Sequence, residues 1–164
     1  MEGIFRTNSS GSPQICATAD GYVIVNERSA YEMFSTHYSI QAQRFDTFGN
    51  QIGNVLSIVS AVSDGYVPKQ SVSKPRVACT QEGFYFVVYN LSSNYGQGGG
   101  NEYEPMLVMV DPSDQILPYV HVEPETQLAI PQPAVAMNPA ETRLNVVYGR
   151  SQSFADEQTD FMGR

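Results

Sequence analysis

The sequence of 164 residues has no tryptophan, two cysteines, two histidines and only two lysines, Lys69 and Lys74. Charged residues make up 16% of the chain, whereas an average soluble domain has about 25%. No apolar run approaches the roughly 18 residues of a membrane-spanning helix, so no membrane insertion is expected. The first residues, MEGIFRTNSSGSP, include neither a basic region nor an apolar core, so no secretory signal peptide is visible.

The charge balance excludes one class of partner. The formal net charge is −8, and the few arginines are scattered along the chain. Proteins that bind nucleic acid carry clustered lysine and arginine, and so do proteins that attach to anionic membranes. We therefore expect no nucleic acid partner.

In place of charged residues, the chain is rich in Ser, Asn, Gln, Gly and Tyr. This composition favours β-structure over helix. The best helical candidate, residues 26–38, has no sustained apolar stripe. Cys16 and Cys79 each follow a proline at the start of an apolar segment, which favours two small buried residues. A disulfide between them stays open, and the spacing is not that of metal ligands.

Three segments of the chain repeat one pattern. They begin at Pro13, Pro75 and Pro133, run through small and apolar residues, turn at a polar site, and enter a Val- and aromatic-rich run. A second hairpin follows in the first two copies, with turns at residues 46–50 and 111–115 rich in Asp, Asn, Gly and Pro. Each unit is therefore predicted to be four antiparallel strands in sequence.

The repeat limits follow from this alignment. Repeat 1 covers about residues 13–62, repeat 2 about 75–122, and repeat 3 about 133–164. The third copy stops at its third strand, so residues 1–8 or a neighbouring chain are expected to supply its fourth. This closure would place four apolar residues at an oligomer interface: Ile4, Phe5, Phe161 and Met162.

A more specific pattern runs through the first copy. It comprises Pro13, Asp20-Gly21, the run from Ala42 to Asp46, Gly49 and Gly53. The second copy matches at fewer positions: Pro75, Val77, Ala78, Gly83, Phe84, Val87 and Val88. This pattern resembles the tandem blades of large bacterial surface proteins, which read P-x-V-A, then D-G-G-F-V-V-V-W, then A-Q-R-F-D-x-x-G. The resemblance implies an all-β, β-propeller-like fold, although the strand-ending tryptophan of those repeats is missing and Asn26, Tyr89 and Tyr148 stand nearby instead.

Three blades do not close a ring, because a propeller has four to eight. The first and last blades would leave apolar faces and strand edges uncovered. We therefore expect a homo-oligomer or polymer: a six-bladed ring from two chains, part of a larger ring, or a filament or shell.

No motif indicates catalysis. His37 and His121 stand apart from any nucleophile pattern, and the glycine run at residues 96–100 lacks the following lysine of a phosphate loop. The acidic clusters lack a calcium-binding series. We expect no enzyme activity, no cofactor and no metal.

Long loops are expected between the second and third strands of each unit, at residues 28–37, 91–104 and 151–160. Tyrosine with small polar residues is a composition typical of recognition surfaces. The candidate ligand-binding residues are Tyr31, His37, Tyr38, Asn94, Tyr95, Asn101 and Tyr103.

These observations predict a non-enzymatic structural subunit that self-associates in an extracellular, cell-surface or virion-type assembly. The alternative is a propeller lectin that binds a glycan with the long loops, since sugars stack on aromatic faces. A third possibility, a glycosidase on a propeller, requires two carboxylates about 5–10 Å apart, and nothing in the sequence indicates such a pair.

Overall fold

The computed structural model describes residues 13–32, 35–63, 69–94, 101–118, 120–122, 133–151 and 159–163. Within these residues every regular element is a β-strand, and all strand pairs are antiparallel. The predicted all-β class is therefore confirmed. No helix in this part of the chain is long and apolar enough to cross a membrane.

The described strands form three sheets. Sheet 1 is a four-stranded meander of β1 (Gln14–Thr18), β2 (Gly21–Glu32), β3 (Ser35–Asp46) and β4 (Gln51–Ser63). Sheet 2 is a second four-stranded meander of β5 (Lys69–Cys79), β6 (Tyr85–Asn94), β7 (Asn101–Val110) and β8 (Val120–His121). Sheet 3 has three described strands: β9 (Ala134–Met137), β10 (Leu144–Ser151) and β11 (Thr159–Gly163).

The structure describes the position of two of the four residues predicted at an oligomer interface. Phe161 and Met162 lie in β11, which takes the third-strand position of sheet 3. Ile4 and Phe5, with the rest of the segment expected to complete that sheet, lie outside the described residues.

The same aspartate-capped turn ends β3 and β7. The Asp46 carboxylate accepts hydrogen bonds from the backbone N–H groups of Phe48 and Asn50 at 2.9 and 2.8 Å. Asp111 does the same with Ser113 and Gln115 at 2.9 and 2.8 Å. Side-chain capping of this kind is why Asp is common in tight turns. The two turns therefore give sheets 1 and 2 the same local geometry.

The predicted long loops at residues 28–37 and 91–104 are wrong for most of their length, and most of the third, at residues 151–160, lies outside the described residues. Residues 28–32 and 35–37 belong to β2 and β3, which pair as far as Glu32 opposite Ser35. In sheet 2, β6 and β7 pair as far as Asn94 opposite Asn101. These segments lack apolar alternation because they extend past the core, yet backbone pairing and the strand preference of Thr and Tyr keep them extended. We call these two-stranded extensions the ribbons.

The three sheets stack face to face, with sheet 2 in the middle. The core between sheets 1 and 2 includes Val25, Ile40, Val87, Tyr89 and Val108. The core between sheets 2 and 3 is formed by a smaller set: Val88, Val146 and Tyr148, with Leu107, Val122, Val135 and Leu144 packed against them. Because side chains alternate along a strand, adjacent residues such as Val87 and Val88 serve opposite cores.

A disulfide joins sheet 1 to sheet 2. Cys16 of β1 is bonded to Cys79 of β5, and their Cα atoms are 5.6 Å apart. The sequence favoured two buried free thiols, and that expectation is wrong. The pairing depends on β1 and β5 lying side by side, which the linear pattern alone does not specify.

Candidate interaction surfaces

The strand register aligns the three sheets with one another, residue by residue. One cross-strand apolar pair occurs at the same position in each sheet: Ile15 with Ile24, Val77 with Val87, and Val135 with Val146. The first member always lies two residues after the proline that opens the repeat. Equivalent positions can therefore be compared from sheet to sheet.

In sheets 2 and 3 this pair is covered by the preceding sheet. Val87 is fully buried and Val146 is 6% exposed. Val77 and Val135 pack against the same two cores. In sheet 1 the equivalent Ile15 is 64% exposed. The position that faces a preceding sheet elsewhere is thus open in sheet 1.

The outer face of sheet 1 has further apolar area. Tyr22 and Phe45 pair across β2 and β3, and their rings stack with centroids 5.2 Å apart. By alternation from Ile24, Tyr22 lies on the same face. We call the surface formed by Ile15, Tyr22, Ile24, Asn26 and Phe45 the head face.

The head face includes one unusual polar group. The Asn26 side chain is 3% exposed, and neither its amide nitrogen nor its amide oxygen has a partner among the described residues. Tyr89 and Tyr148 occupy the equivalent positions of sheets 2 and 3 and pack in the cores toward the preceding sheet. A buried amide without a hydrogen bond costs stability, so it is normally paired.

The outer face of sheet 3 is the opposite surface. Ala134 pairs with Val147 and Ala136 pairs with Asn145, and we call these four residues the tail face. The equivalents of Val147 in sheets 1 and 2 are Val25 and Val88, which are fully buried against the following sheet. Ala136 is exposed, and its sheet 2 equivalent, Ala78, is buried.

Arg44 connects sheets 1 and 2 at one end. Its Nε donates to the Asp114 carboxylate at 2.6 Å, and its terminal nitrogen donates to the Asp111 carbonyl at 2.7 Å. The guanidinium also lies 4.9 Å from the centroid of the Tyr85 ring, which is cation–π geometry. The neighbouring Gln43 donates to the Ile52 carbonyl at 2.8 Å, close to where the β3–β4 register shifts.

Three further hydrogen bonds between sheets have a main-chain N–H as the donor. The Ala19 N–H donates to the Gln81 carbonyl at 3.2 Å, and the Gln81 N–H donates to the Glu141 carboxylate at 2.8 Å. The Lys74 N–H donates to the Glu27 carboxylate at 3.1 Å.

All three described non-glycine residues with positive φ lie at these contacts between sheets. They are Lys74 (54°), Asp114 (63°) and Glu141 (54°). L-residues adopt this conformation at a cost, and it persists where surrounding interactions hold it. The carboxylates of Asp114 and Glu141 bind the preceding sheet, which accounts for acidic residues instead of glycine at these two positions. At Lys74 the backbone N–H makes the contact.

Three ionisable groups in these turns and at this contact have shifted pKa values. Burial raises the pKa of Tyr85 far above its ordinary value, and the nearby Asp114 charge adds to the rise. Hydrogen bonds from the Asn50 side chain and backbone lower the pKa of Asp46. The hydrogen bond from the Gln115 backbone lowers the pKa of Asp111. Each shift has a structural cause.

The ribbons place the predicted ligand-binding residues on more than one surface. Tyr38 lies opposite Ser29, and Tyr103 lies opposite Ser92, at equivalent positions of sheets 1 and 2. Tyr31 lies on the same face as Tyr38 and is 72% exposed. This face is turned toward sheet 2, because Tyr38 packs against the first core.

The remaining candidates do not join that surface. His37 lies on the opposite face of the ribbon, and its Nε2 is 3.3 Å from the Ser35 hydroxyl. Asn94 and Asn101 form a pair on the second ribbon, and Tyr95 lies outside the described residues. Tyr103 shares its face with Leu107, which packs toward sheet 3. Among the described candidates, Tyr31 and Tyr38 therefore share one ribbon face, and Asn94 and Asn101 pair on the other ribbon.

A cleft of about 590 Å³ lies between β4 and sheet 2. Its walls include Ile58, Ala61, Tyr89, Met106 and Leu117, so it is mainly apolar. A smaller cavity of about 180 Å³ near Arg44 also contacts Asp20 and Glu82. In the described part of the chain, no three His, Cys, Asp or Glu side chains are grouped closely enough to hold a metal ion.

Comparison with protein-family models, curated proteins and solved structures gave no match for the chain. The sequence alone does not predict the head and tail faces, because strand alternation gives a residue's face but not which faces are covered. The common proline frame was the signal that identifies equivalent residues.

Proposed function

We propose that this chain is a non-enzymatic interaction subunit, built from blades of the β-propeller type, that associates with copies of itself. The observation that carries the proposal is Ile15, which is 64% exposed, whereas its equivalents Val77 and Val135 are partly buried against the preceding sheet. Exposed apolar faces of this kind mark interaction sites.

The propeller-type arrangement is supported by the order of the strands. The first strands of the three sheets are neighbours, since β5 contacts both β1 and β9. Later strands then follow in sequence order within each meander. First strands that lie side by side, with later strands further out, are typical of blades around a central axis.

The disulfide supports placement in an extracellular, cell-surface or virion-type assembly. Disulfides persist in oxidising environments and are rare in reducing ones. The Cys16–Cys79 bond joins two sheets, so it contributes to the stacking itself.

The oligomeric state tests the proposal. Sedimentation velocity of the 164-residue chain over a range of concentrations should show species larger than the 18.1 kDa monomer. Electron microscopy of the same sample would distinguish a closed ring from a filament. A single monomeric species at every concentration would contradict the proposal.

A second candidate function is glycan binding, and Tyr31 favours it. This ring is largely exposed on the ribbon face that also has Tyr38, and sugars stack on such rings. A glycan array should give a signal that Tyr31→Ala removes. Phe48→Ala, which removes an even more exposed aromatic ring from a turn, is the matched control. An array without signal, or equal loss in both variants, excludes this use of Tyr31.

A further inference from the structure

We infer that copies of the chain associate head to tail, with the head face of one copy packed against the tail face of the next. This inference rests on the proposed function, because it specifies which surfaces of the self-associating subunit meet. The partner is a second copy of this chain, and the contact reproduces the packing of sheet 2 on sheet 1.

The first argument comes from the head face. Four positions that face the preceding sheet in sheets 2 and 3 are buried: Val87, Tyr89, Val146 and Tyr148. The equivalent surface of sheet 1 keeps the same apolar pair, Ile15 with Ile24. A surface built on the same positions is suited to the same kind of partner. That partner is the forward side of another sheet, meaning the face that a sheet turns toward the sheet that follows it.

The second argument comes from the tail face. The forward sides of sheets 1 and 2 present Val25 and Val88 to the next sheet, and both are fully buried. Val147 has the equivalent position in sheet 3, where it is partly exposed. The tail face therefore has the chemistry of a forward side with no sheet upon it among the described residues.

The proposed contact between copies is weaker than the contact between sheets 1 and 2 within one chain. The position equivalent to Asp114 in sheet 1 is Gly49, so an Arg44-type ion pair is absent from the head face. Ala136 and Ala17 take the positions of Cys16 and Cys79 across the proposed contact, so no disulfide can form there. The association between copies is therefore apolar, reversible and dependent on concentration.

Two charged variants test the arrangement. Ile15→Arg blocks the head face, and Ala136→Arg blocks the tail face. Both sites are exposed, so circular dichroism should show native folding. Burying an unpaired guanidinium is costly, so each variant alone should associate at least about tenfold more weakly than the original chain. Ile116→Arg, at an exposed apolar site outside both faces, is the control and should associate normally.

Mixing the two variants gives the decisive measurement. The Ile15→Arg chain keeps its tail face and the Ala136→Arg chain keeps its head face. An equimolar mixture should therefore regain one contact and sediment as a pair with twice the 18.1 kDa mass. Should either arginine variant fail to fold, Ile15→Ser and Ala136→Ser replace them with a smaller expected loss.

The other outcomes separate this inference from the proposed function. If the original chain associates and Ala136→Arg alone associates equally well, the contact is head to head and the inference is wrong. If both variants weaken association but the mixture does not restore it, the inference is also wrong. If the original chain is monomeric, the proposed function itself fails.

Discussion

The guanidinium of Arg44 donates a hydrogen bond of 2.6 Å to the carboxylate of Asp114, 70 residues further along the chain. The Arg44 side chain is 14% exposed and that of Asp114 is 32% exposed, so water only partly screens the pair. The same guanidinium lies over Tyr85, which extends the contact into the core. This relationship joins the end of β3 in sheet 1 to the turn that follows β7 in sheet 2.

Breaking the ion pair should destabilise the fold. Arg44→Met is the suitable change, because Met109 occupies the equivalent position in sheet 2. We expect its free energy of unfolding to fall by about 2 kcal/mol, since a charged hydrogen bond and a cation–π contact are lost.

Urea unfolding of Arg44→Met, Asp114→Ala and the double variant should give a coupling free energy of about 1 kcal/mol between the two residues. Arg28→Met, at an exposed site, should have little effect, and additive single effects would contradict the prediction.

Asp114 should respond differently to glycine and to alanine. Its φ of 63° costs an L-residue roughly 1–2 kcal/mol, whereas glycine adopts it freely. Both substitutions remove the carboxylate, so Asp114→Gly should be more stable than Asp114→Ala by about 1 kcal/mol in urea unfolding. The same two substitutions at Ser113, which lacks a positive φ, should not favour glycine. Equal stability of the two Asp114 variants would contradict the prediction.

Reduction of the disulfide should lower stability. Cys16 and Cys79 are 63 positions apart, so the bond restricts a long segment of the unfolded chain. We expect the free energy of unfolding to fall by about 2–4 kcal/mol on reduction. The Cys16→Ala/Cys79→Ala variant should show the same loss without reductant and no further change with it. A reductant effect on that variant would show that the loss has another source.

Alkaline pH should destabilise the folded chain through Tyr85. Because the folded pKa lies above the unfolded value of 10.0, the protonated tyrosine contributes stability that is complete below that pH. The contribution decreases as the pH rises above 10. Thermal melting between pH 9 and pH 11 should therefore show a decline that is smaller in Tyr85→Phe. An unchanged decline would assign it to other groups.

Some of this architecture was predictable from local pattern. The prolines at positions 13, 75 and 133 gave the correct phase of the three sheets, because equivalent residues such as Val77 and Val135 follow them at equal distances. Strand turns were visible in Asp46 and Asp111, since aspartate caps the backbone of its own turn. Features that depend on residues close together in the sequence can therefore be predicted from local pattern.

Other features depended on how the sheets stack. Nothing near Arg44 identifies Asp114 as its partner, and nothing near Cys16 identifies Cys79. The ribbons were mistaken for loops because residues 28–37 lack apolar alternation once the strands leave the core. Burial of Asn26 was likewise invisible, since its position gives its face but not what covers that face.

The disulfide has a mechanical consequence for a protein whose sheets are stacked in series. Under a pulling force the bond carries the load directly from residue 16 to residue 79, so the chain between them cannot extend. At about 3.4 Å per extended residue, roughly 210 Å of contour length cannot be extended while the bond is intact. Strands β6 to β11 lie outside this closed loop, so they can extend while the bond is intact. A force–extension trace should therefore lengthen by about that amount when the bond is reduced.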